Sequence, residues 1–362
     1  MEPYQTSYKF GIFIHWGVYS VPAFDTPRTK RKIQNGSEWY LHRLTSTFRV
    51  SKADKATREY HSREYPNQSY RDLARYFTLE KWDPLAWVEL FKRVGAEYIV
   101  ITARHHDGYT LWPSKYSPGW SSKRDILGEL KNAIDTTDLA FGIYYSWLEW
   151  NSNGKELCTR KHLHTCIIPQ LFELIKYKPS IWWWDGDWPR SSKHWDSKLI
   201  VEELRAQLPS IEINDRLGKG WEKEDPSLPT YRCFQDRAIP DTIPINPSTG
   251  EQWKWEHVNT IGQSWGRNRQ QKEEDYKTVA ELIHLFIQVI CKGGRFLLNV
   301  GPNPDGTLDE REVQRLEGLG KWIQKNNDAI HGTIAGPLPL TTTKNKTIYQ
   351  FYLEVEWTYK TI

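Results

Sequence analysis

Short apolar runs alternate with longer amphipathic stretches along almost the whole chain. The runs Phe10–His15, Glu97–Ala103, Ala140–Ser146, Ser180–Trp184, Ile211–Asn214 and Arg295–Val300 have the length and the β-branched or aromatic content of buried strands. Between them, Asp83–Val94, Ile126–Asp135, Thr165–Lys176, Lys198–Gln207 and Tyr276–Lys292 repeat apolar residues at helical spacing, and Leu308–Asn326 adds a last helix. A strand-then-helix rhythm predicts a parallel sheet. Several strands also end in polar or aromatic residues: His15, Arg104 to Asp107, Tyr144 to Ser146, Asp185, and Asn214 to Arg216. Polar groups at the C-terminal ends of successive strands predict an α/β fold of the closed (β/α)8-like, TIM-type barrel, in which they share one mouth. A doubly wound sheet is disfavoured, because no G-x-G-x-x-G or P-loop string occurs.

From Gly336 the pattern changes to Pro, Thr and alternating aromatics, so residues 1–335 read as the barrel domain and 336–362 as the start of a C-terminal β-strand region. Its main run, Thr347–Val355, offers one or two strands, too few to stand alone. The tail is therefore expected to pack on the barrel, unless the chain ends inside a longer protein.

Composition narrows the field. The chain has 362 residues, and its 38% hydrophobic and 26% charged content is ordinary for a globular domain. The 19 Trp and 19 Tyr beside one Met are not ordinary, and they suit carbohydrate recognition as well as core packing. The net charge of +4 is spread out apart from Arg28, Lys30, Arg31 and Lys32, a cluster read as a solvated loop rather than a nucleic-acid patch. Lys52–Arg58 and Lys272–Asp275 read as solvated helix faces. Cys158, Cys166, Cys233 and Cys291 lack metal spacing; free thiols are expected, with a Cys158–Cys166 bridge the one local alternative. No run approaches the roughly 20 apolar residues of a membrane span, and no signal core opens the chain, so a cytoplasmic protein is expected from the sequence as written. Sequons stand at Asn35, Asn67 and Asn345.

The most informative stretch is Ile181-Trp182-Trp183-Trp184-Asp185-Gly186, an aromatic strand that stops at an acid. Asp-Gly is also a good turn, which is the plainer explanation of Asp185 taken alone. A carboxylate at a strand's C-terminal end among aromatics is the arrangement a sugar hydrolase uses, since indole faces stack on sugar C–H faces. His105-His106-Asp107 could ligate a metal, but adjacent residues on a strand point to opposite faces, and no H-E-x-x-H or C-x-x-C string supports a metal site. Neutral imidazoles bonding sugar hydroxyls are the simpler role, so no metal and no cofactor are expected.

Taken in order, the strings Lys9-Phe10-Gly11-Ile12-Phe13-Ile14-His15-Trp16-Gly17, Glu38-Trp39-Tyr40, Arg104-His105-His106-Asp107-Gly108, Tyr144-Tyr145-Ser146, Trp183-Trp184-Asp185-Gly186, Trp255-Glu256, Ser264-Trp265-Gly266 and Gly294-Arg295-Phe296-Leu297-Leu298-Asn299-Val300-Gly301-Pro302 resemble glycoside hydrolase family 29, the α-L-fucosidases. The resemblance runs from Lys9 to about Ile330, and, because the family usually carries a C-terminal β-sandwich after the barrel, it implies that the short β-rich tail is a truncated β-sandwich. It implies that Asp185 is the nucleophile and Trp183 borders the sugar. His15, His105 and His106 then contact hydroxyls, Glu38 and Trp39 meet the axial-hydroxyl side, and Tyr144 lies beside them with Tyr145 as the alternative. It further implies Glu256 as general acid/base, with Glu251 as runner-up, and an arginine contact from Arg237 or Arg232. Asp107 and Asp215 are expected to orient basic neighbours, Asp187 to shape the loop after the nucleophile, and Asn299 to close a strand-to-loop turn.

The function so implied is a retaining exo-α-L-fucosidase that releases terminal α-L-fucose through a fucosyl ester on Asp185. Its substrate partner would be a fucosylated oligosaccharide or glycoconjugate, with no nucleic acid or membrane partner and a homo-oligomer left open. Family members are often secreted, periplasmic or lysosomal. A lectin-like fucose-binding barrel without turnover is the alternative, and an unstable fragment the third reading.

Overall fold

The computed structural model describes residues 8–26, 36–47, 49–150, 155–246, 249–353 and 357–362. The basic cluster at 28–32 and the Asn35 sequon lie outside them, while Asn67 and Asn345 stand exposed in left-handed turns.

Eight parallel strands form the barrel sheet: β1 (Phe10–Ile14), β2 (Tyr98–Arg104), β3 (Ala140–Ser146), β4 (Ile181–Asp185), β5 (Glu212–Ile213), β6 (Arg232–Cys233), β7 (Trp255–Thr260) and β8 (Arg295–Val300). Backbone pairing runs in the order β5-β4-β3-β2-β1-β8-β7-β6. At the seam between β5 and β6 no ladder forms. Instead Thr230 N donates to Ile213 O (2.8 Å), Ile213 N donates to Thr230 Oγ1 (2.7 Å), and Cys233 N donates to Asp215 Oδ1 (2.8 Å). The sequence pattern missed β6 and β7, because a two-residue strand carries no periodic signal and β7 reads Trp-Glu-His-Val-Asn-Thr, with few apolar positions.

Period-two alternation sorts each strand's side chains. Phe13, Val100, Tyr144, Ile181, Trp183, Val258 and Leu297 fill the barrel interior, while Ile12, Ile99, Ile143, Trp182, Trp184, Phe296 and Leu298 belong to the larger layer under the helices. Gly11 matters here: a Cβ would lie 2.4 Å from the Tyr98 ring, so glycine lets that ring cross the interior. The helices start where short polar side chains can cap them. Asp83 caps Pro84–Arg93, Asp125 caps Ile126–Ile134, Thr278 caps Val279–Ile290 and Asp309 caps Glu310–Lys325.

The tail holds more strands than expected. β9 (Ile334–Ala335), β10 (Thr341–Lys344), β11 (Thr347–Leu353) and β12 (Trp357–Thr361) form an antiparallel sheet in the order β12-β11-β10-β9, beginning before Gly336. It docks on the last barrel helix: Phe351 is buried 6.1 Å from the Trp322 ring, and Trp322 Nε1 donates to Trp357 O (2.5 Å). All four cysteines are free, so no Cys158–Cys166 bridge exists.

Candidate active site

A pocket is lined by Phe13, His15, Glu38, Trp39, His105, His106, Tyr144, Trp183, Asp185, Trp188, Arg216, Asp236 and Trp265. The strand contributions come from the C-terminal halves of β1, β3 and β4 and from the segments that follow β1, β2, β4, β5, β6 and β7, as a barrel active site requires.

Asp185 ends β4, and Gly186 turns the chain away with φ 73°, a conformation that favours glycine. Its Oδ2 accepts from Tyr144 Oη (2.7 Å) and its Oδ1 from Arg216 Nη1 (2.6 Å). Burial alone would raise its pKa, but the Arg216 charge and the hydrogen bonds from Tyr144 and Arg216 more than offset it and hold the carboxyl below its usual value. The Arg216 guanidinium also lies 4.6 Å over the Trp183 ring, a partly desolvated cation–π contact that contributes about 1–2 kcal/mol. Of the two tyrosines on β3, Tyr144 faces the pocket; Tyr145 faces the helix layer and donates to Gln170 Oε1 (2.6 Å).

Strand β2 ends at Arg104, so His105 and His106 lie past it and both turn into the pocket, their rings 4.1 Å apart. Ser146 Oγ donates to Leu148 O (2.6 Å), so it accepts from His106 Nδ1 (2.6 Å), which leaves His106 Nε2 as the unprotonated nitrogen, 3.6 Å from Asp185 Oδ2. The same logic fixes His15. Asn299 Nδ2 donates to Trp265 O (2.7 Å), its Oδ1 therefore accepts from His15 Nδ1 (2.6 Å), and Nε2 remains an acceptor. Asn299 thus orients a site histidine rather than only closing a turn. Burial pushes His15 down to about 4 and holds His105 and His106 well below the usual imidazole value, so all three are neutral near pH 7. His105 Nδ1 is buried without a hydrogen-bond partner among the described residues.

Glu38 sits in the turn Ser37–Trp39, with Oε1 accepting from Gly36 N (2.5 Å) and Oε2 from Gly266 N (3.1 Å) and Ser264 Oγ (3.3 Å). This ties the Glu-Trp string to the Ser-Trp-Gly string across the mouth.

Glu256 is placed elsewhere. It is the second residue of β7, points into the barrel below the pocket and has a fully buried side chain. Oε2 accepts from Tyr98 Oη (2.8 Å) and Arg295 Nε (2.8 Å), and Oε1 from Trp183 Nε1 (2.7 Å). With its oxygens occupied and no access to the pocket, Glu256 does not meet a leaving group in this geometry. Glu251 is exposed and also outside the pocket lining. Nor do the two expected arginines line it. Arg237 packs 4.4 Å over the Trp265 ring, and Arg232 pairs with Asp215 Oδ2 (2.6 Å). The arginine in the pocket is Arg216, and the further carboxylate is Asp236, which accepts from Arg216 Nη2.

Asp187 accepts from Gly218 N (2.8 Å) and so pins the loop after Asp185. Asp107 serves a tyrosine rather than a base: Tyr70 Oη donates to it (2.7 Å), and burial raises its pKa to about 6. Among the described residues one cluster, Glu149, His162 and Cys166, is close enough to share a metal ion; it lies outside the pocket lining, and Glu149 pairs with Arg104.

A barrel mouth that holds an ionised carboxylate at a strand end, a second carboxylate on the rim, neutral imidazoles and indole faces defines a glycoside hydrolase. A family profile described as Alpha-L-fucosidase matches residues 2–328. An α-L-fucosidase from Branchiostoma floridae is 35% identical over 343 residues, covering 90% of this chain and 71% of the relative. A tissue α-L-fucosidase from Rattus norvegicus is 33% identical over 358 residues, covering 94% and 71%. The structure of a Thermotoga maritima α-fucosidase in complex with fucose superposes with a TM-score of 0.78 at 34% identity, covering 96% of this chain and 80% of that one. The chain belongs to the α-L-fucosidase family. Among the described residues no helix is long and apolar enough to cross a membrane.

Proposed function

We propose that the protein is a retaining exo-α-L-fucosidase that removes terminal α-L-fucose from a fucosylated oligosaccharide or glycoconjugate, with Asp185 as nucleophile and Asp236 as general acid/base. The observation that carries this reading is the Asp185 carboxylate in the pocket, kept ionised by Arg216 and Tyr144. Retaining hydrolysis needs one anionic and one proton-donating carboxyl on the same sugar. Glu38 has both oxygens taken by backbone and serine donors, which leaves Asp236, partly exposed at the rim, to exchange protons with the leaving oxygen. Asp185 attacks the anomeric carbon as Asp236 protonates the departing oxygen; Asp236 then takes a proton from the water that cleaves the ester.

The neutral histidines and Glu38 supply polar partners for fucose hydroxyls, and Trp183, Phe13 and Trp265 supply apolar walls for its methyl and C–H faces. Turnover is favoured over a lectin-like role because two carboxylates reach one pocket. Labelling with a 2-fluoro-fucosyl fluoride tests the nucleophile: the mass increase is expected on the peptide containing Asp185. Label on another residue, or an inverted first-formed product, overturns the reading.

A further inference from the structure

The pocket has a buried interior and a short rim. Four of its side chains reach solvent: Trp39, Arg216 and Asp236 in part, and Trp188, which is 38% exposed and the most exposed of the lining. An indole this exposed at a pocket mouth forgoes burial worth roughly 1–2 kcal/mol. Its loop is nevertheless held in place from both sides. Asp187, the residue before it, accepts from Gly218 N (2.8 Å) through its carboxylate and from Trp195 Nε1 (3.0 Å) through its carbonyl. A Cβ on Gly186 would meet Ser146 Oγ and Leu148 Cβ, each at 2.8 Å, so the turn packs closely on β3 and its extension. The Trp188 ring lies within 13° of parallel to Trp39, centroids 6.4 Å apart, and stands edge-on to His106 at 5.4 Å. Trp39 is backed in turn by Trp150 at 4.8 Å.

We propose that Trp188, with Trp39 beside it, is the platform for the sugar that carries the fucose, and so a specificity-determining residue for the leaving group. The inference rests on the exo-fucosidase reading. A terminal fucose fills the buried interior, and the glycosidic oxygen must then reach the rim, where Asp236 stands. The pyranose beyond that oxygen meets the rim too, and its apolar C–H face has the parallel indoles of Trp39 and Trp188 to lie on. Because the loop is pinned, the stack forms without ordering a mobile segment first, which keeps the entropic cost low. The preferred acceptor is a hexopyranose with an unbroken axial C–H face next to the linkage, in preference to a flexible alkyl or peptide hydroxyl.

The test compares two donors, α-L-fucosyl fluoride, which has no ring beyond fucose, and a fucosylated trisaccharide with fucose on galactose, using wild type, Trp188→Ala and Trp188→Phe. In Trp188→Ala the fall in kcat/KM on the trisaccharide is expected to exceed that on the fluoride by about tenfold, chiefly through KM. Trp188→Phe, which keeps an aromatic face, should recover most of it. Equal losses on both donors would place Trp188 against the fucose itself and overturn the proposal. So would an unchanged trisaccharide constant. A wild-type protein inert toward the fluoride as well would instead fail the fucosidase reading, and the platform would fall with it.

Discussion

Trp183 Nε1 and Glu256 Oε1 are joined by a 2.7 Å hydrogen bond that runs from the pocket lining into the barrel interior. One end of this bond belongs to the indole under Arg216, and the other to a carboxylate paired with Arg295, which also pairs with Glu212. The pocket wall is thereby fastened to the barrel's buried ionic network.

A structural anchor and a general acid fail differently when removed. Glu256→Ala leaves Arg295 with one fewer counter-charge and Trp183 without an acceptor, and breaking a buried pair of this kind costs about 3–5 kcal/mol. The thermal midpoint should fall, and kcat/KM should drop by a similar factor on activated aryl fucosides and on oligosaccharides. Glu256→Gln, which keeps an acceptor for the indole, should retain more activity than Glu256→Ala. Loss confined to poor leaving groups and restored by azide would return the acid role to Glu256.

Asp236→Ala should show the pattern that Glu256→Ala lacks. Proton donation matters most when the departing oxygen is basic, and general acid–base help is typically worth about 10²–10⁴-fold. The variant should lose that much on oligosaccharides and far less on a dinitrophenyl fucoside, and azide should speed its turnover by displacing the fucosyl ester from Asp185 to give an α-fucosyl azide. Equal loss on both substrates would exclude this role.

Glu312, on the last barrel helix, accepts from Gly301 N (3.1 Å) just past β8, and burial raises its pKa from 4.5 to about 8. The folded state therefore holds a proton that the unfolded chain releases near 4.5. The stability this confers is complete below about pH 4.5 and is lost as pH rises toward 8. Within that window unfolding free energy should decline with a slope of up to ~1.4 kcal/mol per pH unit from this group. Glu312→Gln should flatten the slope; equal slopes in urea titrations of the two proteins would refute it.

Much of this site was readable as strand ends. Asp185 and Tyr144 lie in strands whose apolar runs are long enough to detect, and His15, His105 and His106 lie just past the ends of two more. Glu256 shows the complementary case: no apolar run marks β7, so its place near the start of a strand is invisible in the sequence, and that is the end of a barrel strand where stability rather than chemistry resides. Arg216 and Asp236 follow two-residue strands, so neither period nor composition marked them, although the Asn-Asp-Arg string at 214–216 stood out as polar. The tail sheet is undercounted in the sequence because β9 has two residues and β10 reads Thr-Thr-Thr-Lys, so neither shows an apolar alternation.

The seam between β5 and β6 bears on the enzyme's mechanics. Arg216 follows β5 and Asp236 follows β6, so their ion pair straddles the one boundary of the barrel that no backbone ladder rivets. Elsewhere around the ring, parting two neighbouring strands means breaking a row of peptide hydrogen bonds. Here the hoop is fastened by a threonine, an aspartate and, at its upper edge, by the Arg216–Asp236 salt bridge. The spacing between Arg216 and Asp236 at the pocket rim is therefore set by side chains rather than by a row of peptide hydrogen bonds, so a substitution at either residue acts on the closure of the barrel as well as on the pocket.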